Sequence, residues 1–140
     1  MIDNILLLLK PKKMIGYLEE NQTLRQGLEI MRFHGYTALP VINENGQYIG
    51  TVSEGDFLWN ILETKNYSIF DQEKHSIKEI LREGFNPPVK VTTPVENLVS
   101  QIMNQNFVPV IDDQGVLMGI VTRQNVIRYL TEKTCKRASD

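Results

Sequence analysis

Two short segments carry residue types that could hold a phosphate or a ribose at a helix end. One reads Ser53-Glu54-Gly55-Asp56 and the other Thr122-Arg123-Gln124-Asn125. In each, a hydroxyl precedes an Asp or Asn by three residues, where an apolar strand gives way to a helical pattern. A helix start offers free backbone N–H groups and the positive end of the helix dipole, and both suit a phosphate. A carboxylate or amide one turn further in accepts hydrogen bonds from ribose hydroxyls. The same residues also have a purely structural use. Ser53 and Thr122 serve as helix N-caps, and Asp56 as a capping-box partner. His34 and His75 are isolated, and no Cys/His/Asp spacing indicates a metal site. There is no nucleophile paired with a base, no P-loop and no Gly-rich dinucleotide turn, so the expectation is a binding protein and not an enzyme.

Each segment ends a longer pattern. Residues 38–42 read as an apolar strand with Pro40 inside it, and Asn43-Glu44-Asn45-Gly46 as a hairpin turn. Residues 48–52 form the return strand and a helix runs over about 54–63. The pattern then recurs. Leu39-Pro40-Val41-Ile42 returns as Val108-Pro109-Val110-Ile111, the turn as Asp112-Asp113-Gln114-Gly115, and Gly50 to Asp56 as Gly119 to Asn125. The proline, both glycines, the hydroxyl and the last polar residue keep one offset of 69 residues, Pro40 to Pro109, which marks a duplicated unit.

Upstream of the first hairpin, a short strand is expected over 14–18, with bare backbone at Gly16. An amphipathic helix follows over 23–33 and is stopped by Gly35. The second unit repeats this order, with a helix over 77–83, a strand over 89–92 and a helix that opens at Pro94. Strands over 108–111 and 116–121 and a helix over 124–133 complete it. Residues 1–9 are read as a leucine-rich helix that lids the first unit's core, with a dimer contact as the alternative. The expected division is therefore 1–63, a connector over 64–75 with Tyr67, Ile69 and Phe70 laid on a surface, 76–133, and a frayed tail over 134–140. The fold class is α/β (α+β), each unit running β-α-β-β-α.

The chain has 140 residues, which suits two half-size units better than two independent domains. A formal net charge of -2 argues against broad nucleic-acid or anionic-membrane binding. The single cysteine, Cys135, allows no disulfide within the chain, and a cytoplasmic setting is the default. The longest apolar run, over 5–9, is too short to span a bilayer.

The doubled pattern of Gly, two mostly apolar residues, Ser/Thr, two further residues and Asp/Asn, each copy preceded by a Leu/Val-Pro-Val strand, resembles a pair of CBS domains. Gly50, Ser53 and Asp56 match in the first copy, with Thr51 where an aliphatic is usual, and Gly119, Thr122 and Asn125 match in the second. The resemblance implies two units related by a pseudo-two-fold axis with their sheets packed together. It implies an adenosyl ligand, AMP, ADP, ATP or cyclic di-AMP, in clefts between the units, and no other cofactor. It also implies a homodimer and regulation of a protein target, without nucleic-acid or membrane partners.

On that template the main cleft combines Gly16, Leu18, Tyr36, Thr37, Ala38 and Pro40 on the base with Thr122, Arg123 and Asn125 on ribose and phosphate. Arg123 can pair with phosphate bidentately, and Lys12 and Lys13 are near enough in sequence to assist. The second cleft combines Val89, Val91, Phe107 and Val108 with Ser53 and Asp56. Here Glu54 stands where Arg123 stands in the other copy. The stretch from Met103 to Pro109 is also shorter than that from Met31 to Pro40, which predicts a shortened loop. The main cleft is expected to be the working one. The Gly-Tyr-Thr-Ala-Leu-Pro segment (Gly35 to Pro40) resembles stand-alone CBS proteins of Gram-positive bacteria that bind cyclic di-AMP. The alternative is a dimeric interaction module with empty or degenerate clefts.

Overall fold

The computed structural model describes residues 4–65 and 67–139, the last four of these by backbone alone. The start of the expected N-terminal helix (Met1 to Asp3), Asn66 of the connector and Asp140 of the tail lie outside the described residues. In chain order, a 3-10 turn at Ile5–Leu7 leads to β1 (Lys10–Pro11), a second turn at Lys12–Met14, β2 (Leu18–Glu19), α1 (Leu24–His34), β3 (Ala38–Ile42), β4 (Tyr48–Ser53), α2 (Glu54–Thr64) and α3 (Ile69–Gln72). A 3-10 turn at Ile77–Ile80 opens the second repeat. It is followed by β5 (Val89–Lys90), a turn at Val95–Asn97, α4 (Leu98–Ile102), β6 (Phe107–Ile111), β7 (Leu117–Thr122) and α5 (Arg123–Ser139).

The chain divides into two compact units, Gly16–Phe85 and Met1–Ile15 with Asn86–Asp140. The first holds the sheet β2-β3-β4 and the second the sheet β1-β7-β6-β5. This cut differs from the sequence repeat at both ends. The N-terminal segment does not lid the first repeat, because Ile5 is fully buried with Leu98, Ile102, Val108 and Val121 of the second. Conversely Ile77 and Ile80, at the head of the second repeat, join Leu18, Leu24, Leu39 and Phe57 in the core of the first. The reason lies at the sheet edge. Lys10–Pro11 pairs antiparallel with β7, opposite Ile120 and Gly119. A Cβ at Gly119 would stand 2.1 Å from the Lys10 carbonyl oxygen, so that glycine admits the added strand. Gly50, its counterpart, meets only the side chain of Leu81.

Local signals account for the elements around the sites. Thr23 Oγ1 accepts from the Gln26 N–H and Gln26 Oε1 from the Thr23 N–H, a capping box that starts α1. Gly35, at φ 70°, stops it, and its N–H donates to the Met31 carbonyl. The hairpin after β3 closes with the Asn43 side chain accepting from the N–H groups of Asn45 and Gln47, with Gly46 at positive φ. The expected strand over 14–18 is shorter and later than its apolar pattern indicated. Lys12–Met14 is a 3-10 turn, and only Leu18–Glu19 pairs, parallel to Val41 and Ile42. Pairing on that side of β3 begins just after Pro40, which has no N–H to give, and begins just after Pro109 in the second repeat. In the connector, α3 lies against α1 with Gln72 buried, but the expected Tyr67, Ile69 and Phe70 side chains are exposed. The expected frayed tail continues α5 to Ser139.

Candidate functional site

The backbone fixes how the two repeats correspond. The Glu54 N–H donates to the Thr37 carbonyl at 2.9 Å, and the Arg123 N–H donates to the Asn106 carbonyl at 2.8 Å. Thr37 therefore matches Asn106, and Tyr36 matches Gln105. Met31 and Met103 are not equivalent, and the predicted shortened loop is not found. Residues 35–37 link α1 to β3, whereas 103–106 link α4 to β6. The shortening falls in the helix, where the turn at Val95–Asn97 and five-residue α4 replace eleven-residue α1.

On the base side of the expected main cleft, Gly16, Tyr36, Thr37 and Ala38 gather where the chain enters β2 and leaves α1. Gly16 is buried, and its Cβ position would lie 2.8 to 3.0 Å from three ring atoms of His34. The His34 ring is stacked against Tyr36 at an interplanar angle of 3° and a centroid separation of 5.9 Å. Phe33 meets its edge at 5.2 Å. Tyr36 remains 44% exposed. Leu18 is fully buried in the core, so only its backbone can face a ligand, and Pro40 is buried beside it.

The anion side of the same expected cleft stands at the start of α5. Thr122 Oγ1 accepts from the Asn125 N–H at 3.2 Å, the capping role. The Asn125 side-chain amide has no partner among the described residues. Arg123 Nε donates to the Ile102 carbonyl at 2.9 Å, which ties the guanidinium to the end of α4 and leaves its two terminal nitrogens without a partner among the described residues. The turn bearing Lys12 and Lys13 packs against β7 in this same unit. The first turn of α5 has no acidic residue. The Arg123 guanidinium, the positive end of α5 and the Asn125 amide make this a corner that suits an anion.

The residues of the second expected cleft are satisfied by the protein itself. At the start of α2, Asp56 accepts from the Ser53 N–H at 2.8 Å and from the Ser53 hydroxyl at 3.0 Å. Its other oxygen takes Arg82 Nε at 2.8 Å. Arg82 is held in turn over the Phe85 ring at 3.8 Å. An open hollow of about 400 Å³ adjoins this end of α2, but Asp56, Glu63 and Glu79 line it against the single cation Arg82, which disfavours a phosphate. On the base side, Val108 is fully buried and Phe107 nearly so, while Val89 and Val91 pack on the core. Gln105, in the place of Tyr36, is buried and donates to Asn86 Oδ1 at 2.7 Å and to the Pro87 carbonyl at 3.2 Å.

The CBS domain model matches residues 11–63 and 77–132. The chain is a member of the CBS domain family. Among relatives of this CBS pair, a protein of Methanocaldococcus jannaschii is 29% identical over 128 residues, 88% of this chain and 43% of that one. Cyclic di-AMP receptor B of Bacillus subtilis is 21% identical over 118 residues, 84% of this chain and 80% of the receptor. The crystal structure of CbpB in complex with c-di-AMP superposes with a TM-score of 0.89 at 18% identity, covering 99% of this chain and 91% of that one, which establishes the shared CBS-pair fold. The chain thus spans less than half of the first relative's length and four-fifths of the second's.

Arg82, Gln105 and Asn86 have no site role in the sequence reading, and His34 is read there only as an isolated histidine. Each acts through a contact far along the chain or around a helix end. The available signal was the repeat itself, which sets Gln105 opposite Tyr36. Among the described residues there is no grouping of three or more His, Cys, Asp or Glu that could hold a metal, and no helix long and apolar enough to cross a membrane.

Proposed function

We propose that this CBS pair is an adenine-nucleotide-responsive regulator, with cyclic di-AMP the first ligand to try and AMP, ADP and ATP the alternatives. Gly16, Tyr36, Thr37 and Ala38 serve the base, with the backbone at Leu18 and Pro40, while Thr122, Arg123 and Asn125 serve ribose and phosphate. One observation carries this reading. Of the two helix starts, the one at α5 keeps uncommitted polar groups and positive charge while the one at α2 is bonded to Arg82, and of the two strand entries Tyr36 stays exposed while Gln105 is tied to Asn86. That a relative is a cyclic di-AMP receptor supports the choice of ligand. No residue set for catalysis accompanies these groups, and the reading is a non-catalytic module in a cytoplasmic setting that acts on a protein target. Calorimetry with the four nucleotides tests it. Saturable binding of at least one is expected, and no heat from any of them removes the proposal.

A second reading concerns assembly. α2 exposes Leu58, Trp59 and Leu62, and α5 exposes Ile127 and Leu130. Trp59 is 62% exposed, unusual for so large an apolar residue on a helix. We propose that a second copy of the chain covers these helices. Light scattering should give twice the chain mass, and Trp59→Glu should halve it. If assembly and target binding persist in Thr122→Ala/Arg123→Ala with no nucleotide bound by either protein, the interaction-module alternative takes over.

A further inference from the structure

The base seat of this protein contains a ring of its own. Three atoms of the His34 imidazole, Cδ2, Cγ and Nε2, stand 2.8, 2.9 and 3.0 Å from where a Gly16 Cβ would be, so the ring covers the bare backbone at Gly16. The same ring lies parallel to Tyr36, with an angle of 3° between them. A flat nitrogen heterocycle placed against Gly16 and parallel to Tyr36 presents the features expected of a purine in that seat. His34 is the last residue of α1, followed by Gly35 at φ 70°, and its side chain is exposed, so it can turn out into solvent without disturbing the core.

We infer that His34 is an internal competitor for the base seat: its imidazole stands in for the purine, and a nucleotide binds by displacing it from Gly16 and Tyr36. This inference rests on the base-seat assignment made above. The ring sets a threshold that a ligand must exceed by stacking, which favours an extended purine over a smaller pyrimidine. The residue that matches His34 in the second repeat is Met103, exposed and not aromatic, so the device belongs to one repeat alone.

The test is calorimetry of the full chain with cyclic di-AMP and with AMP, for the native protein, His34→Ala and His34→Phe. His34→Ala should tighten binding by roughly two- to tenfold, the range an aromatic pair is worth. His34→Phe, which keeps a ring, should not. Native binding with equal or weaker affinity in His34→Ala overturns the competitor and leaves the nucleotide reading standing. No binding by any of the three proteins overturns both. Proton NMR of the native protein reads the same event without a variant. The His34 ring signals, shifted by the Tyr36 ring current, should move toward unstacked positions as cyclic di-AMP is added, and their staying in place while heat is released overturns the inference.

Discussion

The two repeats share a backbone plan and differ in what their polar groups do with it. In the Gly16–Phe85 unit the helix start is saturated, with Asp56 holding Ser53 and Arg82, while the strand entry is aromatic, with His34 laid over Gly16 and against Tyr36. In the other unit the strand entry is stitched by Gln105 to Asn86 and Pro87, while the helix start keeps Arg123 and Asn125 available. Each repeat thus has one of its two ends satisfied within the fold, and the two repeats satisfy opposite ends. A buried polar group must find a partner. Asp56 finds one inside the fold in Arg82, whereas the terminal nitrogens of Arg123 have none among the described residues.

The sharpest way to break this comparison is at the paired glycines. Gly119→Ala drives a methyl into the Lys10 carbonyl, which is backbone and cannot yield, so a loss of about 3 kcal/mol in unfolding free energy is expected by denaturant titration. Gly50→Ala meets a flexible leucine tip at 3.0 Å and should cost under about 1 kcal/mol. Equal losses would mean that the N-terminal strand does not lean on Gly119. Next comes the charged corner. Thr122→Ala with Arg123→Ala should weaken nucleotide binding by about 2 kcal/mol, roughly thirtyfold. Arg82→Ala with Ser53→Ala should leave the affinity unchanged, and a comparable loss in both pairs would erase the distinction between the helix starts.

Third, Gln105→Ala should cost about 1–2 kcal/mol of stability, because it strips partners from Asn86 and Pro87, while leaving nucleotide affinity intact. Tyr36→Ala should do the reverse, since Tyr36 is half exposed and its ring faces the proposed base. Smallest of all is a pH effect. The Ser76 N–H, followed by the His75 side chain, holds the Glu79 carboxyl below its ordinary value. A carboxylate lowered in the folded state stabilises above its unfolded pKa, and that contribution fades as pH falls through the folded value. Glu79→Gln should therefore cost only a few tenths of a kcal/mol at neutral pH after solvent screening, with the difference from the native protein vanishing in acid.

Much of the fold was legible before any coordinates, because its signals are local. Thr23 with Gln26, Ser53 with Asp56, Gly35, and the Asn43–Gly46 turn each act within a few residues of themselves. The matched glycines, prolines and hydroxyls made the duplication visible, and with it the family. Leu18 and Val108, expected beside a base, have their side chains in the cores. The two-residue strand at Leu18 carries too little pattern to say which face is buried, and the strand holding Val108 is apolar on both faces. The capping use of Ser53, Asp56 and Thr122 was also foreseen as the structural alternative, and all three do cap.

By itself the sequence determined the repeat, the two hairpins and the capped helix starts, because these follow from spacing of 3.6 and 2 and from turn chemistry over short range. Only the tertiary structure decided that Ile5 belongs with the second repeat, that Asp56 is already held by Arg82, that Gln105 closes one strand entry, and that His34 lies on Gly16 at the other. The Ile5, Asp56 and Gln105 contacts join residues far apart along the chain. The His34 contact depends on the turn α1 makes at Gly35. Such partners are chosen by which surfaces the fold brings together, a choice no local pattern records.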